Sequence, residues 1–205
     1  MRLTRRDFAL DPQALAQRLL GQRLVRILPG GERLAGVIVE TEAYLGIEDR
    51  AAHSFGGRRT ARVEPMYGKP GTAYVYFTYG MHHCFNVVAG KVDEPVAVLV
   101  RALRPVEGLD LMRRLRTGRA AGRSKLDDTE LCSGPAKLCQ ALAIDRRESG
   151  IDLTTSPSLY LARASSRPAT RTEIGVSPRI GVEYAGEWAG RPLRYFLRDD
   201  PNVSR

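Results

Sequence analysis

The sequence is poor in cysteine and lysine and has no long apolar run. Its three cysteines, Cys84, Cys132 and Cys139, form no CxxC pair. Such a small, odd set excludes a disulfide framework and a zinc ribbon, and fits reduced thiols buried as small hydrophobes. No apolar segment approaches the roughly 18 residues that a membrane-spanning helix needs. The start, MRLTRRDFAL, is basic but lacks the apolar stretch of a secretory signal. A soluble, cytoplasmic protein is expected. Lysine occurs only at Lys69, Lys91, Lys125 and Lys137, so the formal net charge of +9 rests mainly on arginine. Arginine offers paired donors that suit phosphate, and a basic excess of this size favours a polyanionic partner.

With 205 residues, 43% hydrophobic and 27% charged, the chain has material for a real core, and a single domain is expected. Asp11 as cap, Pro12 in the first turn, Leu15 and Leu19 on one face and Gly21 as stop predict a helix. Strands are predicted over 22–27 and 33–44, around a Pro29-Gly30-Gly31 turn. Residues 45–71 form a long loop rich in Gly, Arg and Pro, of the kind that usually carries function. Residues 73–79 and 82–89 read as a hairpin around Gly80-Met81, followed by a strand over 97–103 and a helix over 106–115. Residues 117–126 read as a basic linker. A short helix from Ser133, its predicted cap, runs through Leu142, and RIGVEYA and PLRYFL are strand candidates.

The chemistry concentrates between Val39 and Asn86. Strand alternation puts Glu40, Glu42 and Tyr44 on one face. Two acids there mean either a solvated sheet edge or a general base, and spacing does not choose between Glu40 and Glu42. Tyr74, Tyr76 and Thr78 share a face of the next strand. Tyr79, near the hairpin tip, is suited to wedging between bases, and Tyr44 and Tyr76 to holding an extruded base. His53 lies in AAHSFGGRRT, where glycines allow close backbone approach and Arg58, Arg59 and Arg62 suit phosphates. His82 and Cys84 share a face, but no third ligand joins them, so no metal is expected. Arg101, inside the apolar VLVRAL, needs an acidic partner, either structural or catalytic.

Taken together, VETEAYLG, AAHSFGG, KPGTAYVYFTYGM, CFN, VLVRAL, LCSGPAKLCQAL and YAGEWAGRPLR resemble the alkyladenine DNA glycosylases, also called 3-methyladenine or methylpurine DNA glycosylases. The motifs are long, keep their order and cover nearly the whole chain. The resemblance implies an α+β fold: one compact domain with a curved, mostly antiparallel sheet, flanking helices and a protruding β-hairpin that enters the minor groove. It implies hydrolysis of the N-glycosidic bond of 3-methyladenine, hypoxanthine or ethenoadenine in double-stranded DNA, by a monomer, without cofactor or metal.

Carried onto this sequence, the resemblance makes Glu42 the catalytic carboxylate and Arg101 a holder of the attacking water. It makes Tyr44, His53 and Tyr76 the base-stacking residues. Asn86 becomes the residue that crowds a guanine amino group, and Ile180 contacts the water through its carbonyl. Tyr79, with Met81, becomes the intercalating tip. The family pattern is broken by His82 and His83 after Met81, and by Phe55 where a basic residue is common. Two rival readings share the basic surface: a damage-recognition protein without catalysis, which does not need Glu42, and an RNA-binding module, which does not need the tyrosine wedge.

Overall fold

The computed structural model describes residues 1–78, 80–118, 126–164 and 170–204. The predicted 117–126 linker therefore lies almost entirely outside the described residues, as does Tyr79. Two short helices, α1 (Arg5–Phe8) and α2 (Pro12–Leu19), lead into β1 (Arg23–Ile27) and the long β2 (Arg33–Tyr44). The Asp11 carboxylate accepts from the Gln13 and Ala14 amides, as the sequence predicts, a cap typically worth about 1 kcal/mol. Leu15, Ala16 and Leu19 are then buried, and the Thr41 hydroxyl bonds the Ala16 carbonyl, seating α2 on β2.

The hairpin strands β3 (Ala73–Thr78) and β4 (His82–Val88) precede β5 (Ala97–Glu107), α3 (Leu109–Thr117) and α4 (Pro135–Ala141). Three short strands complete the sheet: β6 (Leu159–Ala162), β7 (Ile174–Ser177) and β8 (Arg194–Leu197). Every strand pairing is antiparallel, in the order β3-β4-β5-β2-β1-β6, and the fold is α+β with a curled sheet. The sheet forks at β2. Its first half, from Arg33 to Val37, pairs with β1, whereas Glu40–Glu42 pair with β8 on the same edge.

The β2–β5 pairing slips at Val39, an extra residue on β2, and slips back at Arg101, an extra residue on β5. The two offsets cancel, so the ladder resumes its register at Thr41↔Val100. Bulges of this kind bend a sheet and re-aim a side chain, and here the re-aimed side chain is Arg101.

Four sequence expectations need correction. The strand β5 continues to Glu107, so the helix expected from Val106 starts at Leu109. The break falls at Gly108, whose φ of +79° and contact with Leu34 leave no room for a Cβ. Ser133 does not cap α4: the N-cap is Gly134, and Ser133 instead bridges Ala102. RIGVEYA is not a strand. The strand lies just before it, and Glu183–Trp188 form 3-10 turns because Arg179 and Ile180 are drawn inward by buried carboxylates. Glu40 and Glu42 are not a solvated edge, since neither has any exposed surface. PLRYFL does hold a strand, β8, whereas β6 and α1 carried no recognised pattern.

Candidate active site

The described residues enclose a pocket of about 250 Å³ between β2, β3–β4, β5, the 45–71 loop and the 178–184 turn. This is slightly below the roughly 300–1,000 Å³ of sites for drug-sized ligands, and suits a guest the size of one base. Tyr44, His53, Tyr76, Asn86, Arg101 and Ile180, six residues singled out from the sequence, all line it. Tyr74 and Thr78, on the same face of β3 as Tyr76, line it too.

The long loop reaches the pocket because it is tied down rather than free. It folds as three 3-10 turns, and Val63, Met66 and Tyr67 pack with Tyr74, Val88 and Ala97 in a small second core. His53 bonds the Tyr74 hydroxyl at 2.8 Å and meets Tyr76 edge-on, ring centroids 4.5 Å apart. Burial, with Arg62 and Arg58 nearby, pulls the His53 pKa down to about 4, so the imidazole is neutral at pH 7. Asn86 is held by its amide nitrogen, which donates to the Tyr74 carbonyl at 3.0 Å and the Cys84 carbonyl at 3.4 Å.

The two acids of β2 have different surroundings. Glu40 accepts from Arg101 Nε at 3.1 Å, Arg194 Nε at 2.6 Å, the Ser204 amide at 2.7 Å and the Ser204 hydroxyl at 2.8 Å. Three of these donors fall on Oε1 and one on Oε2, and of the residues that supply them only Arg101 lines the pocket. Glu42 receives three: the Ile180 amide at 2.9 Å and Arg101 Nη1 at 3.2 Å on Oε1, and the Tyr44 hydroxyl at 3.0 Å on Oε2. All three partners line the pocket, so Glu42 sits directly beneath its wall. Burial pushes the Glu42 carboxyl above the usual carboxylate range, opposed mainly by Arg101. A raised pKa brings a carboxylate closer to the working pH of a general base.

Ile180 reaches Glu42 through its amide, a contact separate from the carbonyl contact to water that the resemblance implies. The sequence reading missed the ion pair that holds it there. Arg179 and Asp49 are fully buried and joined by two bonds, at 2.5 and 2.8 Å. Arg179 also donates to the Ala43 carbonyl, and its guanidinium lies 4.7 Å from the Tyr44 ring centroid. Asp49 in turn accepts from the Leu45 and Ala51 amides. One pair thus fixes the loop, the Ile180 turn and a stacking tyrosine. An aspartate one turn past VETEAYLG and an arginine beside a proline carried no periodic signal.

At the hairpin end, Gly80 takes a φ of +70°, which suits glycine in a tight turn. Met81 is 70% exposed and Phe77 37% exposed. Arg62 donates to the Phe77 carbonyl, and the Arg146 guanidinium lies 5.7 Å from the Phe77 ring. The tip therefore presents apolar side chains flanked by arginines. His82 is exposed and Cys84 buried, and no His/Cys/Asp/Glu group of metal-binding size occurs among the described residues. No helix among the described residues is long and apolar enough to cross a membrane.

The fold is α+β, and its pocket joins aromatic walls to a buried carboxylate, an arrangement found in enzymes that act on flat ring systems. Residues 6–201 match the methylpurine-DNA glycosylase (MPG) family, and the chain belongs to that family. It is 50% identical over 192 residues to the human "DNA-3-methyladenine glycosylase", a match covering 93% of this chain and 63% of the human protein. The mouse protein of the same name is 49% identical over 193 residues, which is 93% of this chain and 57% of the mouse protein. The chain thus spans about three fifths of the length of these mammalian relatives. A Bacillus cereus (strain G9842) relative is 43% identical over 196 residues, 95% of either chain.

Proposed function

We propose that this protein is a monofunctional DNA glycosylase. It extrudes alkylated or deaminated purines (3-methyladenine, hypoxanthine, ethenoadenine) from duplex DNA and hydrolyses their N-glycosidic bond. The observation that carries this reading is Glu42, buried directly under an aromatic base-sized pocket and wired to Arg101, Ile180 and Tyr44.

The target carbon, C1′, is inaccessible in a stacked duplex, so the nucleotide must leave the helix, at a cost of a few kcal/mol. Stacking on Tyr44, Tyr76 and His53 returns roughly 1–3 kcal/mol per contact. Exposed Met81 at the hairpin tip, with Tyr79 in the intercalating role read for it from the sequence, fills the space left behind. A neutral His53 suits a cationic alkylated purine, because two positive charges do not then meet in the pocket and the aromatic faces attract the cation. Asn86, fixed by two carbonyls, crowds the edge where guanine carries its amino group.

Water then binds Oε2 of Glu42, which otherwise accepts from the Tyr44 hydroxyl alone. Its oxygen forms the new bond to C1′ while the bond from C1′ to the purine nitrogen breaks, the electron pair leaving with the purine. Glu42 stabilises the positive charge that develops on the sugar and takes the water proton. A purine already cationic through alkylation departs neutral, whereas hypoxanthine and ethenoadenine depart as anions that take up a proton from solvent. A Schiff-base route needs a desolvated lysine. No lysine lines the pocket among the described residues. The protein acts as a monomer, in the cytoplasm and on the nucleoid if the cell is bacterial.

The test is single-turnover incubation with duplexes carrying each lesion, scoring free base and abasic DNA. Base release from at least one alkylated purine and none from the undamaged duplex is the expected result. Tight lesion binding with no base release would instead identify a damage-recognition protein.

A further inference from the structure

Three edges of the Arg101 guanidinium are engaged, each by a different group. Nη1 faces Glu42 at 3.2 Å, Nε donates to Glu40 at 3.1 Å, and Nη2 reaches the Ser204 hydroxyl at 3.5 Å. Glu40 is itself gripped by Ser204 and by Arg194, and Arg194 donates to the Ser204 carbonyl at 3.1 Å and the Ser177 hydroxyl at 3.1 Å. Neither Glu40 nor Ser204 lines the pocket. Burying this many charges is a poor way to gain stability, since well-packed apolar side chains usually do as well or better. Their retention under a pocket calls for another reason.

We infer that Glu40 is a positioning residue: with Ser204 it clamps the re-aimed Arg101, so that Nη1 is held on Glu42 and toward the pocket. This rests on the assignment of Glu42 as base. The clamp also sets the charge around that base. Glu42 is faced by Arg101 from β5, Tyr44 and Glu40 from β2, Tyr76 from β3, Cys84 from β4, and the Ile180 amide and Arg179 from the turn. Among these, Glu40 is the one other carboxylate. Two glutamates and the two arginines Arg101 and Arg194 balance to zero. Without Glu40 the surplus positive charge favours ionised Glu42 and makes it a weaker base.

The test compares single-turnover excision of a methylpurine from duplex DNA, across pH, by the wild type and the Glu40→Gln variant, with lesion-duplex affinity measured alongside. The variant is expected to be slower on the order of 10²-fold at neutral pH, the usual effect of a misplaced catalytic partner. Its affinity should change by less than a few fold, and its acidic limb should move to lower pH. An unchanged rate and limb overturn the inference, as does a rate loss matched by an equal loss of binding. Should that variant not fold, Ser204→Ala takes its place. It removes one hydroxyl from Glu40 and Arg101 and should slow excision about five-fold, with Ser204→Thr restoring it. An unaltered rate in Ser204→Ala overturns the clamp. A Glu42→Gln control separates the two ideas: full activity there removes the base assignment itself.

Discussion

Replacing Glu42 by Gln separates catalysis from folding in this protein. The amide oxygen can still accept from the Ile180 amide and from Arg101, and the Tyr44 hydroxyl can rotate to accept from the new amide. Shape and hydrogen bonds are therefore kept, and Arg101 retains Glu40 as partner. On the proposed mechanism, two catalytic contributions vanish together. Losing a general base removes about 10²–10⁴-fold in rate. Losing a charge aimed at the developing cation removes a further factor comparable to the ~10²–10³-fold of a single oxyanion-hole donor. Single-turnover base release should fall by at least about 10³-fold. The fold should not suffer. An acid whose folded pKa lies above its unfolded value binds more protons when folded, so its ionised form weighs against the fold at neutral pH. Tm in the variant should be equal or higher, and lesion-duplex affinity largely intact. The assay is quenched single-turnover excision with enzyme in excess, paired with calorimetry. Near-normal excision by a folded variant would refute the reasoning and shift the base to Glu40, despite its four donors.

Wild-type stability should fall as pH drops from about 6.5 to about 4, because unfolded His53 takes up a proton that the folded site refuses; the effect is at most about 3 kcal/mol. Urea unfolding of His53→Asn should show a shallower slope in that window, and equal slopes would exclude His53 as the source. Asn86→Ser should raise excision of guanine-derived lesions relative to adenine-derived ones, at a stability cost of about 1–2 kcal/mol for the lost amide bonds. An unchanged ratio in a folded variant removes Asn86 as the selectivity gate. Asp49→Asn leaves Arg179 buried without its counter-charge and should cost about 3–5 kcal/mol in thermal or urea unfolding. A loss below 1 kcal/mol would show that the pair is dispensable to the loop. Duplex affinity should fall steeply with salt, log K dropping by about 0.9 per phosphate neutralised for each unit of log salt, and Arg62→Ala should lessen the slope by about one such step. A flat salt dependence would exclude phosphate contacts as a main source of affinity.

Much of the local structure was legible because it depends on near neighbours in the chain. The Asp11 cap, the turn between β1 and β2, and the strand parity that puts Tyr74, Tyr76 and Thr78 together follow from backbone periods and single-residue conformations. The family motifs added a list of residues, and six of them do converge on one pocket. Other features depended on partners far away in sequence. Glu40 and Glu42 differ by one strand repeat and are equivalent by parity. Ser204 and Arg194, more than 150 residues away, grip the first outside the pocket, whereas Ile180 and Tyr44, which line the pocket, hold the second beneath its wall. The 179–185 segment has the composition of a strand, yet its arginine is pulled into a buried pair with Asp49, and that long-range attraction outweighs local β-propensity. The aim of Arg101 comes from two cancelling bulges, which leave no trace in a pattern of alternating residues. Local periods therefore determined the elements and the candidate residues. Only the tertiary structure decided which buried charges meet, because an ion pair is set by distance in space and not by spacing along the chain.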